Sequence, residues 1–212
     1  MLWLPEPPEG TKVCGGFDGS DSDDHTAIKL ETLEGLIFTP RYGPDRLPTI
    51  WDPAKWGGRI PRQQVRVAWA EIAARYDFGT EKDPARVYCD PGFHDELSWE
   101  SEIESWATEW PALRFTVWPT NQMGRMFPAL RRFEADLKAG GITHDGCPIT
   151  AAHMRNARKL AKRGDQYTLA KPSQSQKIDA GVTTVLAHEA ASDARAEGWG
   201  VEAEHKVIFF NR

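Results

Sequence analysis

Residues 12–20 read KVCGGFDGS, a short apolar run that ends on Asp18 and breaks at a glycine. A second run of the same kind, VYCDP at 87–91, ends on Asp90 before a proline. Short apolar runs bounded by Gly or Pro read as buried strands, so each run delivers a carboxylate at its carboxyl end. A third aspartate, Asp179, opens KIDAGVTTVLAHEAA at 177–191, an amphipathic helix by its apolar spacing. In open α/β sheets, ligands collect beyond the carboxyl ends of strands, where the strand order reverses. If the strand at 86–90 pairs with the strand at 12–18, Asp18 and Asp90 stand side by side at such a point. Clustered carboxylates are hard oxygen ligands suited to Mg²⁺ or Mn²⁺. Two such ions can activate a water and stabilise the leaving oxygen in phosphodiester cleavage.

Working outward, β-type runs follow at 25–32 and 35–39, and Glu34-Gly35 at their turn suggests antiparallel neighbours. Residues 40–61 are rich in Pro, Gly and Trp. A structureless loop of that length is uncommon in a compact domain, so it is expected to cover something functional or to pack its tryptophans on the core. From Arg62 the period turns helical, with Val65, Trp69, Ile72 and Tyr76 on one face and Pro61 at the first turn. Trp99, Ile103, Trp106 and Trp110 repeat at helical spacing, and a strand follows at 113–118. Met123, Met126, Phe127, Leu130, Phe133 and Leu137 mark the next helix, which stops at Gly140-Gly141. Another starts near Pro148, a long one spans about 176–196, and a strand-like KVIFF closes at 206–210. Hairpin-linked strands followed by α-β crossovers predict a mixed sheet, antiparallel first and then parallel, flanked by helices. Residues 1–11 read as a proline-rich lead-in and 12–212 as one α/β domain.

The chain has 212 residues and a net charge of −5, with composition ordinary for a globular protein. No apolar run is long enough for a membrane span, and the N-terminus has no signal-peptide pattern. Cys14, Cys89 and Cys147 lack metal-ligand spacing and read as reduced thiols, which favours the cytoplasm. Charge is uneven along the chain. Residues 95–109 carry six acids (Asp95, Glu96, Glu100, Glu102, Glu104 and Glu109) and no base. Residues 155–177 carry seven bases (Arg155, Arg158, Lys159, Lys162, Arg163, Lys171 and Lys177) against Asp165 alone. A basic stripe ending beside Asp179 suits a phosphate backbone, with Arg155, Arg158, Lys171 and Lys177 as the expected contacts. By itself such a stripe reads first as a solvated helix face, and its ending beside Asp179 is what sets it apart.

Each aspartate has a plainer reading. Asp18 begins an Asp-Gly turn, and Asp21, Asp23 and Asp24 can cap or solvate the tight loop that follows. Asp90-Pro91 is a strand stop, and Asp179 a charge favoured at a helix N-terminus. Asp18 departs from the turn reading because it continues the strand without a break. Asp24, across a hairpin, is a further candidate for an outer-sphere or second-metal position.

The runs FDGSDSDDHTAI (17–28), VYCDPGF (87–93), ITHDGCPITAAHMRNARK (142–159) and LAKPSQSQKIDAGVTTVLAHEAA (169–191) resemble, in this order and spacing, the C-terminal nuclease domain of large terminase subunits of tailed bacteriophages. The resemblance spans about 10–196 and implies a ribonuclease H-like fold. It implies an endonuclease that cuts concatemeric double-stranded DNA during genome packaging, in the host cytoplasm. Asp18, Asp90 and Asp179 match the family's metal-binding acids, Asp24 a position that sometimes assists, and Lys177 a basic position beside the third acid. A basic helix is implied before the Ser-rich loop. His144 and His153 fall in the same pattern, with burial or capping the expected roles. The implied partners are an ATPase domain, a portal and a small terminase subunit. No G-x-x-x-x-G-K-[ST] run is present, so the chain is expected to be the nuclease half alone and to turn over no ATP. Two alternatives stand beside this: a non-catalytic docking module that binds a portal or partner subunit through 40–61, and a resolvase- or transposase-type nuclease on the same fold.

Overall fold

The computed structural model describes residues 2–80, 82–92 and 98–201. Strand β1 (Val13–Asp18) runs antiparallel to β2 (Thr26–Thr32), and β2 to β3 (Leu36–Phe38), with Gly35 at φ 87° in the turn between them. This is the hairpin order read from sequence.

Residues 40–61 hold more structure than a covering loop. A miniature ladder joins β4 (Arg41–Tyr42) to β5 (Leu47–Pro48), and β6 (Ile50–Trp51) pairs antiparallel with the start of β2. A 3-10 turn at Pro53–Trp56 then leads to α1 (Arg62–Arg75). A small ladder of β7 (Gly79–Thr80) and β8 (Asp83–Pro84) precedes β9 (Val87–Asp90). Next come α2 (Glu100–Glu109), β10 (Phe115–Val117), α3 (Met123–Ala139) and β11 (Thr143–His144). Gly140 ends α3 in the left-handed conformation, the stop read from its sequence. The chain continues through α4 (Pro148–Asn156), a hairpin of β12 (Arg158–Ala161) and β13 (Tyr167–Ala170), and α5 (Asp179–Ala196). The expected strand at 206–210, and Asp95 and Glu96 of the acidic stretch, lie outside the described residues.

The main sheet has the order β10-β9-β1-β2-β3-β11, with β6 attached to β2. Strands β9 and β10 run parallel to β1 and each other, whereas β2 runs antiparallel, so the order reverses at β1. The sheet is mixed, antiparallel at its start and parallel where helices cross over, in the ribonuclease H-like arrangement.

Alternation along β1 separates two faces. Phe17 packs edge-on against Trp69 of α1 and against Trp99 and Trp106 at α2, within an aromatic cluster that also takes Phe115. Gly16 points the other way, to α5. A Cβ there would stand 2.6 Å from both the Ala187 nitrogen and the Thr183 oxygen, so only glycine lets the helix lie this close. Ala180, Ala187, Ala190, Ala191 and Ala194 complete a small-residue face, and α3 and α4 cover the outer side of α5. Buried all round, α5 shows little amphipathic contrast. Fully buried Glu31 on the α5 side of β2 accepts from Arg195 (2.6 Å) and lies 2.9 Å from His188, which keeps its charge partnered.

The three cysteines are buried and unpaired. No helix among the described residues is long and apolar enough to cross a membrane.

Candidate metal and nucleic-acid site

The parallel register of β1 and β9 sets Asp18 directly beside Asp90. Asp18 follows Gly16 by two residues, so it faces the same side of the sheet, where the first turn of α5 presents Asp179. Asp18 and Asp179 line one groove of about 370 Å³, together with Gly92, Thr120 and the loop 19–24. Asp90 is buried beneath it and bonded to two of the groove's residues, Gly92 and Thr120.

Each carboxylate is held differently. Asp90 accepts from the Thr120 hydroxyl and, more weakly, from the backbone N–H groups of Thr120 (3.4 Å) and Gly92 (3.3 Å). Asp179 accepts from the His25 N–H at 3.1 Å, and the His25 ring nitrogen Nδ1 lies 3.7 Å from the same oxygen. Asp18 is partly buried between them.

Burial, then the charges of Asp90, Asp179 and Asp24, push the Asp18 carboxyl well above the usual carboxylate range. Burial raises Asp90 as well, against the lowering effect of the Thr120 and Gly92 hydrogen bonds. Burial and Asp24 raise Asp179 to about 6. Such a site resists carrying its full negative charge unless a cation joins it.

The donor set fits a hard divalent cation: oxygen-only side chains, electrostatically overloaded, opening on a polar groove. Among the described residues no group of three or more His, Cys, Asp or Glu closes round one point as a ready-made cage. Mg²⁺ ordinarily keeps several waters and takes one or two carboxylates plus substrate phosphate, so an open set is compatible with it.

Asp24 reaches the groove but faces cations. Its carboxylate accepts from Lys171 (2.6 and 2.8 Å) and Lys177 (2.8 Å), and Lys177 also donates to the Asp23 carbonyl. Burial alone would raise Asp24, but the two lysines outweigh it and hold the carboxyl below its usual value. Lys171 and Lys177, expected to meet phosphate, are thus engaged at Asp24.

Arg155 is exposed at the end of α4, and Arg158 is exposed at the start of β12, donating to the Arg155 and Ala157 carbonyls. The basic stretch is therefore largely a hairpin rather than the helix the resemblance implied. Its strands are held by their own ladder and by Lys159, which pairs with Glu134 and lies 4.2 Å over the Tyr167 ring.

His153 is buried, and its Nδ1 accepts the Ala180 N–H at 3.1 Å, which caps α5 where Ile178 offers no side-chain cap. Burial, then His25, Lys29 and Lys177, lower its pKa to about 4. Exposed His144 accepts from the Gly146 N–H at 3.0 Å in a local turn. His153 takes the burial and capping role expected of it; His144, exposed and bonded within a turn, does not.

Sequence reasoning passed over Thr120 and His25, the groups that orient Asp90 and Asp179. Pro119-Thr120 after a strand carries no motif, and His25 stood in plain view beside Asp24 with no signal of its partner.

No protein-family model matches the chain. In sequence it is similar to the Gene 13 proteins of Mycobacterium phage D29 (31% identical over 196 residues) and Mycobacterium phage L5 (29%), in each case over 87% of this chain. The chain spans about 30% of the length of these relatives. In structure it is similar to the large terminase nuclease of thermophilic phage G20c, with a TM-score of 0.59 at 15% identity over 89% of this chain and 93% of that one. The HK97 bacteriophage large terminase gives 0.60 at 15% identity, over 90% of this chain and 41% of that one. The G20c domain has also been solved with bound magnesium, cobalt and zinc. The chain thus has the fold of phage large-terminase nuclease domains across most of its length.

Proposed function

We propose that the chain is a divalent-metal-dependent endonuclease acting on double-stranded DNA, the cutting part of a phage genome-packaging enzyme. The observation that carries this reading is the in-register pairing of Asp18 with Asp90 under the acidic first turn of α5. The fold it shares with terminase nucleases, and the metals bound by the G20c domain, support it.

In this reading Asp18, Asp90 and Asp179 hold Mg²⁺ or Mn²⁺. A bound pair of ions would supply a water activated at neutral pH and charge stabilisation for the leaving 3′ oxygen. The chain's own groups do the rest. Thr120 holds one Asp90 oxygen and the Gly92 N–H the other, and the His25 N–H holds one Asp179 oxygen, which together fix how the two carboxylates sit at the groove. Asp24 stores Lys171 and Lys177 at the rim, where an incoming phosphate can take over those lysines. Arg155 and Arg158 extend the basic edge along the backbone. Because such contacts go to phosphate, cutting is expected to show little base preference.

The ATPase domain, portal and small terminase subunit are the proposed partners, and the host cytoplasm the proposed place of action. ATP turnover is assigned elsewhere, since this chain carries no phosphate-cradling loop.

The test is plasmid cleavage with Mg²⁺, with Mn²⁺ and with EDTA. Cutting should require metal and should vanish in Asp18→Asn, Asp90→Asn and Asp179→Asn, each single change costing nearly as much as all three together. Cutting that persists in EDTA, or near-normal nicking by two of these variants, would overturn the assignment.

A further inference from the structure

The molecule has nine tryptophans, and eight have an aromatic or guanidinium partner or are buried in the core. Trp3, Trp99, Trp110 and Trp199 each lie under an arginine. Trp51, Trp69, Trp106 and Trp118 each meet another ring. Trp56 is different: it is 38% exposed, and among the described residues it meets no ring and no guanidinium. More than a third of its surface faces water, apolar area that a flat partner would cover.

Its surroundings indicate what it meets. Lys55 precedes it, exposed, and its side chain makes no ion pair or hydrogen bond among the described residues. Gly57 and Gly58 follow at φ 72° and 90°, with no heavy atom near the place a Cβ would occupy, so the turn stands clear of the body. Arg59 comes next, its side chain 72% exposed and 3.7 Å from Asp21.

The loop is also tied to the groove at both ends. Its first residue, Asp52, lies 3.9 Å from the outer nitrogen of His25, whose inner nitrogen faces Asp179. At the other end, Ile60 N–H donates to the carbonyl of Asp21, which lines the groove. Lys55 stands close enough to His25 for its charge to act on the ring. Lys171 and Lys177 reach the same 20–25 loop from the β13–α5 connection. The acidic groove thus has basic groups on two banks, and one bank adds a bare aromatic face.

We infer that residues 52–59 form the second wall of a DNA cleft, in which Lys55 and Arg59 meet phosphates and the Trp56 indole stacks on an unpaired base at the end of a strand. This rests on the nuclease reading above. The chemistry favours a tailed or frayed DNA end. Stacking needs an open base face, which a duplex covers everywhere but on the outer side of its terminal pair, and the flanking cations suit the adjoining backbone.

The test uses fluorescently labelled duplexes, blunt and with a single-stranded tail, titrated by anisotropy in Ca²⁺ over a salt series. Trp56→Ala should weaken binding of the tailed duplex about tenfold and of the blunt duplex much less, with Trp56→Phe in between. Lys55→Ala and Arg59→Ala should each flatten the log-log salt dependence by about 0.9 on duplex DNA. Melting curves give the folded fraction of each variant, and Trp56→Phe, which keeps an aromatic ring in place, separates lost stacking from lost fold. Equal binding by all three alanine variants, with an unchanged salt slope, would mean that the loop meets something other than DNA, such as a protein partner. The inference would then fall while metal-dependent cutting stood. A wild-type chain that neither binds nor cuts DNA would overturn both.

Discussion

The two faces of the sheet are built on opposite plans. The α1–α2 face is filled by bulk: Phe17, Trp69, Trp99, Trp106 and Phe115 interlock by their rings. The α5 face is built by omission, with Gly16 and the alanines of α5 removing side chains until helix backbone meets strand. Bulk yields burial, the larger share of stability, and tolerates small shifts. Close backbone approach yields position, because a helix seated on a glycine has one depth at which it fits. The catalytic candidates all lie on the second face. That division predicts that damage to the first plan lowers stability and damage to the second lowers chemistry.

The largest energetic effect is expected from the aromatic side. Trp106→Ala removes a ring that is 1% exposed and should cost about 3–5 kcal/mol in chemical denaturation. The loss should be nearly the same at every pH, since no group in that cluster titrates. The fraction still folded should bind Mg²⁺ or Mn²⁺ as wild type does; a weakened metal affinity would break the division.

A smaller, pH-dependent effect is expected at the head of α5. With its folded pKa raised to about 6, Asp179 penalises the metal-free fold above that pH and leaves it unpenalised near the ordinary carboxylate value. Asp179→Asn should therefore stabilise the metal-free protein by roughly 2 kcal/mol at about pH 8, the gain fading as pH falls through about 6 toward 4. His153 runs the other way. Its folded pKa of about 4 lies below the unfolded value, so its contribution is complete above about 6.5 and declines as pH falls toward 4. Melting curves of wild type, Asp179→Asn and His153→Gln across that range should separate the two. A gain from Asp179→Asn that grew on acidification would contradict the expected sign.

Gly16→Ala sharpens the comparison most. The added methyl should cost about 1–3 kcal/mol, less than Trp106→Ala, yet reduce cutting about a hundredfold by lifting Asp179 off Asp18 and Asp90. Plasmid nicking rates normalised to folded protein would show it, and activity that merely tracked stability would refute it. The smallest change is Thr120→Val, which deletes the hydroxyl on Asp90 and keeps the shape. Metal affinity by calorimetry should fall about tenfold, with Thr120→Ser restoring it.

How much of this could be read in the chain varied with range. The strands carrying Asp18 and Asp90, and the helix opening on Asp179, were legible because apolar runs with sharp Gly and Pro stops declare both type and end. Their convergence followed from one topological rule. The β12–β13 hairpin was not legible. RKLA and YTLA hold little apolar pattern, and bases at 155, 158, 159 and 162 mimic the spacing of a helix face. A two-residue strand such as β6 is too short for any period. The pairing of Asp24 with Lys171 and Lys177 joins opposite ends of the chain, and local pattern carries no trace of it.

The β1–β9 register has a consequence for the birth of the protein. During synthesis Asp18, Asp90 and Asp179 emerge in that order, and none of their pairings is local. A nascent chain therefore holds Asp18 and Asp90 before the helix that brings the third acid to them has been made. On the nuclease reading, the ability to cut would arise only when α5 docks, so folding itself would act as its safety catch.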